Sequence, residues 1–223
     1  MKMYLRIIYY FIGVFLLALS IGLSLKANLG ITPVSSVPYT LTVVWAVEIG
    51  IATVIFHIVL VLIQLAILRK KFGWRNILQL PIGVIFGYFT SLSFYLVTFL
   101  PNSTNIWMSL AYLVLSIIVI AIGEIFYLVP DLIPIASSGV VQVVAATLKK
   151  PFSHVKICFD VIMVGGSAIV CLATIGSLGS VGIGTVICAV FVGTTIKIII
   201  KLFYKLTGIQ LNLKSAYESD VDN

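Results

Sequence analysis

Thr32-Pro-Val-Ser-Ser36 and Ile133-Pro-Ile-Ala-Ser137 place a proline and serines at the same point in each half of the chain, 101 positions apart. Each stretch follows a long apolar run and opens a shorter, more polar segment, Pro33–Val47 and Pro134–Leu148. A segment of about 15 residues is only about 22 Å long as a helix. That is too short to cross a hydrocarbon core of about 30 Å comfortably.

The rest of the chain consists mainly of six longer apolar runs. The 223 residues are 61% hydrophobic and 9% charged, with a mean hydropathy of +1.21, which excludes a soluble globule and a disordered chain. The runs are Leu5–Leu25, Ile49–Leu68, Ile77–Leu100, Ile106–Leu128, Ser153–Ala173 and Val181–Tyr204. We therefore predict an all-α integral membrane protein in a lipid bilayer. It has six long transmembrane helices, the first uncleaved, plus two short Pro/Ser-containing re-entrant or broken helices.

The basic residues predict the orientation. If the two short segments do not cross, thirteen of the fourteen Lys and Arg residues lie on one side, and only Lys26 lies on the other. The positive-inside rule then places both termini in the cytoplasm, with residues 206–223 as a polar cytoplasmic tail. The basic residues form no continuous stripe, so nucleic acid is not an expected partner.

The two halves, residues 1–100 and 106–205, predict an inverted repeat. Gly22 and Gly123 keep the offset of 101, and Phe56-His57 matches Phe159-Asp160 at an offset of 103. Each half has the order long helix, short Pro/Ser segment, long helix, long helix. Three crossings per half force the second half to enter from the opposite face, as in many secondary transporters.

The short segments are candidates for a binding site inside the membrane. Thr32-Pro33 has the composition of a helix start, and Asp131 is placed to cap the second segment. A helix that begins at depth presents a positive dipole end that favours anionic groups. The adjacent hydroxyl groups complete such a site; they belong to Thr32, Ser35, Ser36, Ser137 and Ser138. The alternative is that both segments lie along the membrane surface as connectors.

Ionisable residues inside the spans are the other candidates. Glu124 and Asp160 are two carboxylates at similar depth from one face, and they are interpreted as contacts for a cation, a proton or the substrate. Lys156 lies one turn before Asp160, so a purely structural ion pair is the alternative. His57 occupies the position equivalent to Asp160 and is most simply a helix–helix hydrogen-bonding group.

Several patterns resemble a known family. They are Lys26-Ala-Asn-Leu-Gly-Ile-Thr-Pro-Val-Ser-Ser-Val-Pro-Tyr39, Arg69-Lys-Lys-Phe72, Val155-Lys-Ile-Cys-Phe-Asp160 and Gly182-Ile-Gly-Thr-Val-Ile-Cys-Ala-Val-Phe-Val-Gly193. Together they resemble the YczE/YyaS/YitT-type bacterial membrane proteins, most closely the YczE-like branch, over nearly the whole chain. The resemblance implies a multi-pass protein of the bacterial cytoplasmic membrane and implies no particular substrate.

The sequence favours a small secondary transporter or permease-like protein for a small polar or anionic solute, assembled as a homo-oligomer. A substrate-capture subunit of an energised uptake system and an accessory or scaffolding membrane protein are the alternatives. No HExxH, CxxC or GxSxG pattern occurs. We therefore expect no enzymatic activity, no metal and no cofactor.

Overall fold

The computed structural model describes residues 2–179 and 181–207, which form helices joined by turns and short loops, with no strand in those ranges. The α-helices are α1 (Met3–Ala27), α2 (Ser36–Trp45), α3 (Ile49–Leu68), α4 (Trp74–Ile77), α5 (Gln79–Thr98), α6 (Ile106–Leu128), α7 (Ala136–Leu148), α8 (Phe152–Ile175) and α9 (Ile183–Thr207). A short 3-10 turn, Arg69–Lys71, follows α3.

Within the described part of the chain, six helices are long and apolar enough to cross a membrane: α1, α3, α5 with the preceding turn, α6, α8 and α9. The prediction of an all-α protein with six long apolar helices is confirmed, and the chain is a multi-pass membrane protein. The largest difference at a span end is at α9, predicted as Val181–Tyr204 and observed as Ile183–Thr207. From residue 208 onward, the predicted tail lies outside the described residues.

Helices α1 and α6 form the central pair of the bundle. A side chain at Gly13 would overlap the backbone of Tyr127, and a Cβ at Gly123 would lie 3.0 Å from the Cβ of Leu16. Small residues allow such close backbone approach where lipid supplies no hydrophobic force between helices. Further along the pair, the Ser116 hydroxyl on α6 donates to a carbonyl of α1, that of Ser20, at 3.0 Å.

The two ends of the bundle differ in charge. The Arg6 guanidinium on α1 donates to the carbonyl of Pro130, just past the end of α6, and Arg75 donates to the carbonyl of Leu132. We call this the basic end, because the Arg69–Arg75 connection meets the start of α1 here. At the opposite end, Lys26 donates to the Asn102 side chain at 2.7 Å.

The short helix α2 begins inside the bundle. Ser36, its first residue, is fully buried and lies 3.0 Å from the Ser167 hydroxyl on α8, eight residues (about 12 Å) before the end of α8. Thr40, one turn later, lies near Cys171, so α2 runs beside α8 in the same direction. This placement favours the re-entrant interpretation over a connector along the membrane surface.

Two predicted helix starts are wrong. Helix α2 begins at Ser36 rather than at Thr32-Pro33, because the carbonyls of Thr32 and Pro33 first accept turn hydrogen bonds from Ser35 and Ser36. Asp131 does not cap α7, whose N-cap is Ile135. The Ile135 N–H is instead satisfied by the hydroxyl of Tyr127, which accepts it at 2.5 Å.

A buried amide pair fixes the start of α7. The Gln64 amide on α3 donates to the Gln79 side chain of α5 at 2.7 Å, and Gln79 donates back at 3.1 Å. Gln64 also donates to the carbonyl of Ala136 at 3.3 Å, and a Cβ at Gly139 would lie 2.8 Å from the Gln79 amide. Both glutamines are essentially unexposed, so the pair joins α3, α5 and α7 through fully desolvated hydrogen bonds.

Each single glutamine substitution should lower the stability by more than half of the loss that the double substitution causes. Gln64→Met or Gln79→Met leaves a buried amide without its partner, which costs about 1–3 kcal/mol, whereas the double variant removes both polar groups together. We expect the loss of thermal stability in detergent to be less for Gln64→Met/Gln79→Met than the sum of the two single losses. Additive losses would contradict a coupled pair.

Glu48 ties the start of α3 to α5. Its carboxylate accepts the Ile51 N–H at 2.9 Å and the Ser91 hydroxyl at 2.8 Å. Partial burial alone would raise the pKa of this carboxyl. The hydrogen bonds from the backbone of Gly50 and Ile51 and from Ser91 together hold the pKa below its ordinary value.

This lowered pKa predicts a pH dependence. A carboxyl whose pKa is lower in the folded chain stabilises the fold above its unfolded pKa, and that stabilisation is lost as the pH falls through the folded pKa. The melting temperature of wild type should exceed that of Glu48→Ala at pH 7, and the difference should narrow as the pH falls below 4.5, the ordinary value for the group. A difference that stays constant down to pH 3.5 would contradict the assignment; thermal unfolding in detergent measures it.

Candidate functional site

The hydroxyl groups predicted in the first half form a cluster between α2 and α8. The Thr32 hydroxyl donates to that of Ser35 at 2.9 Å, and both side chains are buried. Ser36 donates to the carbonyl of Pro33 at 2.6 Å and accepts from Ser167 at 3.0 Å. The Thr32–Ser35 hydrogen bond is local, and of these three residues Ser36 is the one that joins α2 to α8, through Ser167 and the carbonyl of Met163.

Charged residues from α6 and α8 form a second cluster. The Lys156 ammonium contacts both carboxylate oxygens of Asp160, at 2.5 and 2.6 Å, so the predicted pair within α8 is confirmed. Glu124 on α6 interacts electrostatically with both of these residues. The two carboxylates that the sequence singled out thus lie within electrostatic range of each other, and only Asp160 forms an ion pair with Lys156 among the described residues. We call Glu124, Lys156 and Asp160 the charged cluster.

The charged cluster lies beside the first turn of α7. Tyr127, one turn after Glu124, interacts with that carboxylate and with the Ser138 hydroxyl. The same tyrosine hydroxyl accepts the Ile135 N–H, so it is held at the start of the helix. Ser137 is half-buried in this first turn. One carboxylate, two hydroxyl groups and a helix N-terminus thus lie close together, within electrostatic range of the Lys156–Asp160 pair, and such a set of polar groups can hold a small polar solute.

His57 lies in a different environment from its equivalent, Asp160. It is 2% exposed, and its Nδ1 is 2.8 Å from the carbonyl of Thr53 on the same helix. Its ring packs against Phe86 and covers Gly83, both on α5. The predicted helix–helix hydrogen bond is not formed. Among the described residues, no atom is a hydrogen-bond partner for Nε2.

A cavity of about 260 Å³ opens at the basic end, on the other side of Tyr127. Its lining is formed by α4, the end of α6, the connection between α6 and α7, and α7 itself. The lining residues are Arg75, Asn76, Tyr127, Leu128, Asp131, Leu132, Ile133, Pro134 and Gln142.

The sequence analysis did not identify the residues that hold the connection between α6 and α7. Pro130, Leu132 and Ile133 present their carbonyl groups to the side chains of Arg6, Arg75 and Tyr10. The sequence does contain one indication of them, the non-helical stretch between Pro130 and Pro134. In a membrane protein, the carbonyl groups of such a stretch must accept hydrogen bonds from donors elsewhere in the chain. Which donors it finds depends on contacts between residues 57 to 124 positions apart.

No group of three His, Cys, Asp or Glu side chains suited to a metal ion occurs within residues 2–179 and 181–207.

Comparison with known proteins identifies a family. No curated protein and no solved structure shows detectable similarity to the chain. The DUF6198 family, described as a family of unknown function, matches residues 4–201, which is nearly the whole membrane part of the chain. The chain therefore belongs to the DUF6198 family.

Proposed function

We propose that the chain is a small secondary transporter or permease-like protein of the bacterial cytoplasmic membrane for a small polar or anionic solute. Its kinship with the YczE/YyaS/YitT-type proteins is part of this proposal. The observation that carries it is the charged cluster at the first turn of α7. Charged groups at such depth are expensive and are usually kept for a solute or ion pathway.

The depth of the charged cluster supports this role. Asp160 is eight residues, or about 12 Å, from the start of α8, and Glu124 is four residues, or about 6 Å, from the end of α6. The Lys156 and Asp160 side chains are 33% and 20% exposed, so the pair is not fully enclosed by the protein core. A purely structural pair would not explain a third charge, Glu124, in the same place.

Support for an inverted repeat comes from which helices pack together. In an inverted repeat, four helices of the first half correspond to four of the second: α1 to α6, α2 to α7, α3 to α8 and α5 to α9. The packed pair α1–α5 then corresponds to the packed pair α6–α9, and the pair α3–α7 corresponds to the pair α8–α2. The pair α2–α3 likewise corresponds to the pair α7–α8, and all of these pairs pack in the described residues. The buried contacts Ser167–Ser36 and Gln64–Ala136 correspond in the same way.

One pair breaks the correspondence. Gly87 on α5 lies against Val54 and Gly50 of α3, whereas α8 and α9 make no comparable contact among the described residues. On α9, Gly193 has no neighbouring heavy atom within 4 Å of a Cβ built there. Alternating access in inverted repeats is a movement of one repeat against the other. We infer that α8 approaches α9 as α3 parts from α5.

The open face of α8 supports the homo-oligomer that the sequence predicts. A Cβ at Gly165 or Gly166 would meet no heavy atom within 4 Å, and Ile162 and Ile169 on the same helix are exposed. Small residues on an exposed transmembrane helix favour close packing with another helix.

Replacing the carboxylate of Asp160 or Glu124 should slow transport strongly. In proteoliposomes tested with a panel of labelled amino acids, carboxylates, sugars and phosphate esters, wild type should take up at least one solute. Asp160→Asn and Glu124→Gln should slow its initial uptake by about tenfold or more, because each hydrogen bond to a charged group contributes about 1.5–3 kcal/mol. Lys70→Gln, an exposed change at the basic end, is the matched control and should transport as wild type.

Two results would overturn the proposal. One is full uptake by both carboxylate variants with unchanged melting temperatures. The other is uptake that occurs only after an ATP-hydrolysing partner is added, which would identify a capture subunit.

The orientation can be tested with single cysteines. In a variant whose three native cysteines are replaced, Lys70→Cys should be labelled by a membrane-impermeant maleimide only after cell lysis, because the basic end faces the cytoplasm. Thr104→Cys, in the connection between α5 and α6 at the opposite end, should be labelled in intact cells. The reverse pattern would contradict the proposed orientation.

A further inference from the structure

The cavity at the basic end has a floor that is held in place. Three residues of the connection between α6 and α7 have a carbonyl group that accepts a side-chain hydrogen bond. Arg6 donates to Pro130, Arg75 to Leu132 and Tyr10 to Ile133. Pro130 and Pro134 further restrict the backbone at both ends of this stretch. A cavity whose floor does not rearrange loses little conformational entropy when a solute binds.

The cavity carries two opposite charges that do not pair with each other. Arg75 and Asp131 both line it, and neither forms an ion pair with any residue in the described part of the chain. The Asp131 backbone has a φ of 45°, and its N–H is bound to the Leu128 carbonyl, so the residue is held in a left-handed turn. Two charges of opposite sign that line one cavity without pairing are complementary to a solute that carries both signs.

The remaining polar groups are neutral. Asn76 and Gln142 supply amides that can donate or accept, and Tyr127 supplies a side chain that reaches from the cavity wall to the charged cluster. A volume of about 260 Å³ lies just below the usual range for ligand sites of about 300–1,000 Å³, which suits a solute of about ten non-hydrogen atoms rather than a nucleotide or a peptide.

We propose that this cavity binds a free α-amino acid as a zwitterion, with its carboxylate at Arg75 and its ammonium group at Asp131. The inference rests on the proposed function, because it names the solute class that would pass Tyr127 to reach the charged cluster. The amides of Asn76 and Gln142 complete the carboxylate site. Neither Arg75 nor Asp131 is part of the charged cluster, so the cavity can be tested separately from transport.

Binding is tested on detergent-purified protein by thermal shift and calorimetry with the twenty common α-amino acids. For each one that raises the melting temperature, the deaminated acid and the decarboxylated amine of the same side chain are tested next. We expect each single-charge analogue to bind at least about tenfold more weakly, since each lost charge removes a charge-assisted hydrogen bond. Phosphoethanolamine is included because a lipid headgroup also carries both signs.

Two variants and one control complete the experiment. Arg75→Gln should weaken amino-acid binding by about tenfold or more. Asp131→Asn should abolish the preference for the amino acid over its deaminated acid, and asparagine tolerates the left-handed backbone at this position. Arg69→Gln removes an exposed arginine of the same connection that does not line the cavity, and should bind as wild type.

Three results would overturn the inference: no amino acid binds, the deaminated acid binds wild type equally well, or only phosphoethanolamine binds. Binding without uptake in proteoliposomes would refute the transport proposal and leave the cavity assignment intact. Uptake of a different solute that depends on Asp160, with no amino-acid binding by the cavity, would refute only the cavity assignment.

Discussion

The constraint on which the structure depends is that non-helical backbone inside a membrane must be hydrogen-bonded by the protein itself. Two stretches, residues 28–35 and 129–135, leave helical geometry between a long helix and a short one. In the second stretch, three carbonyl groups are bound by the side chains of Arg6, Tyr10 and Arg75. In the first stretch, the Leu29 carbonyl accepts the Gly184 N–H at 2.6 Å. Each stretch is thus held by residues from the other half of the chain or from a distant connection.

This constraint explains why α1 and α6 must pack so closely. The donors Arg6 and Tyr10 are on α1, and the carbonyls they bind follow α6 directly, so the two helices must approach within reach of these side chains. Gly13 permits the approach because any side chain there would overlap the backbone of Tyr127. That tyrosine in turn binds the first N–H of the α7 cap region, which sets the position of the short helix. The close packing of α1 and α6 therefore also determines where the candidate site lies.

The sequence predicts the long helices well and the short ones less well, for different physical reasons. A span is recognised by about 20 apolar residues, and such a run is a local property. The start of α2 was predicted three residues too early, at Pro33, because the serines after Pro33 make turn hydrogen bonds before the helix begins. The pairing of Lys156 with Asp160 is also local and was predicted correctly. The cavity was missed because Arg75 and Gln142 come together only through tertiary contacts.

His57 and Asp160, which the proposed repeat aligns with each other, lie in contrasting environments. His57 is enclosed, and the side chains and backbone that contact it, from Thr53, Phe56, Gly83 and Phe86, carry no charge. A carboxylate there would be buried without a partner, which costs several kcal/mol. Asp160 is 20% exposed and pairs with a lysine on its own helix, so the second half can carry a charge at the same depth. The tight α3–α5 packing that encloses His57 therefore restricts the first half to neutral groups. The looser arrangement of α8 is what permits a charged site in the second half.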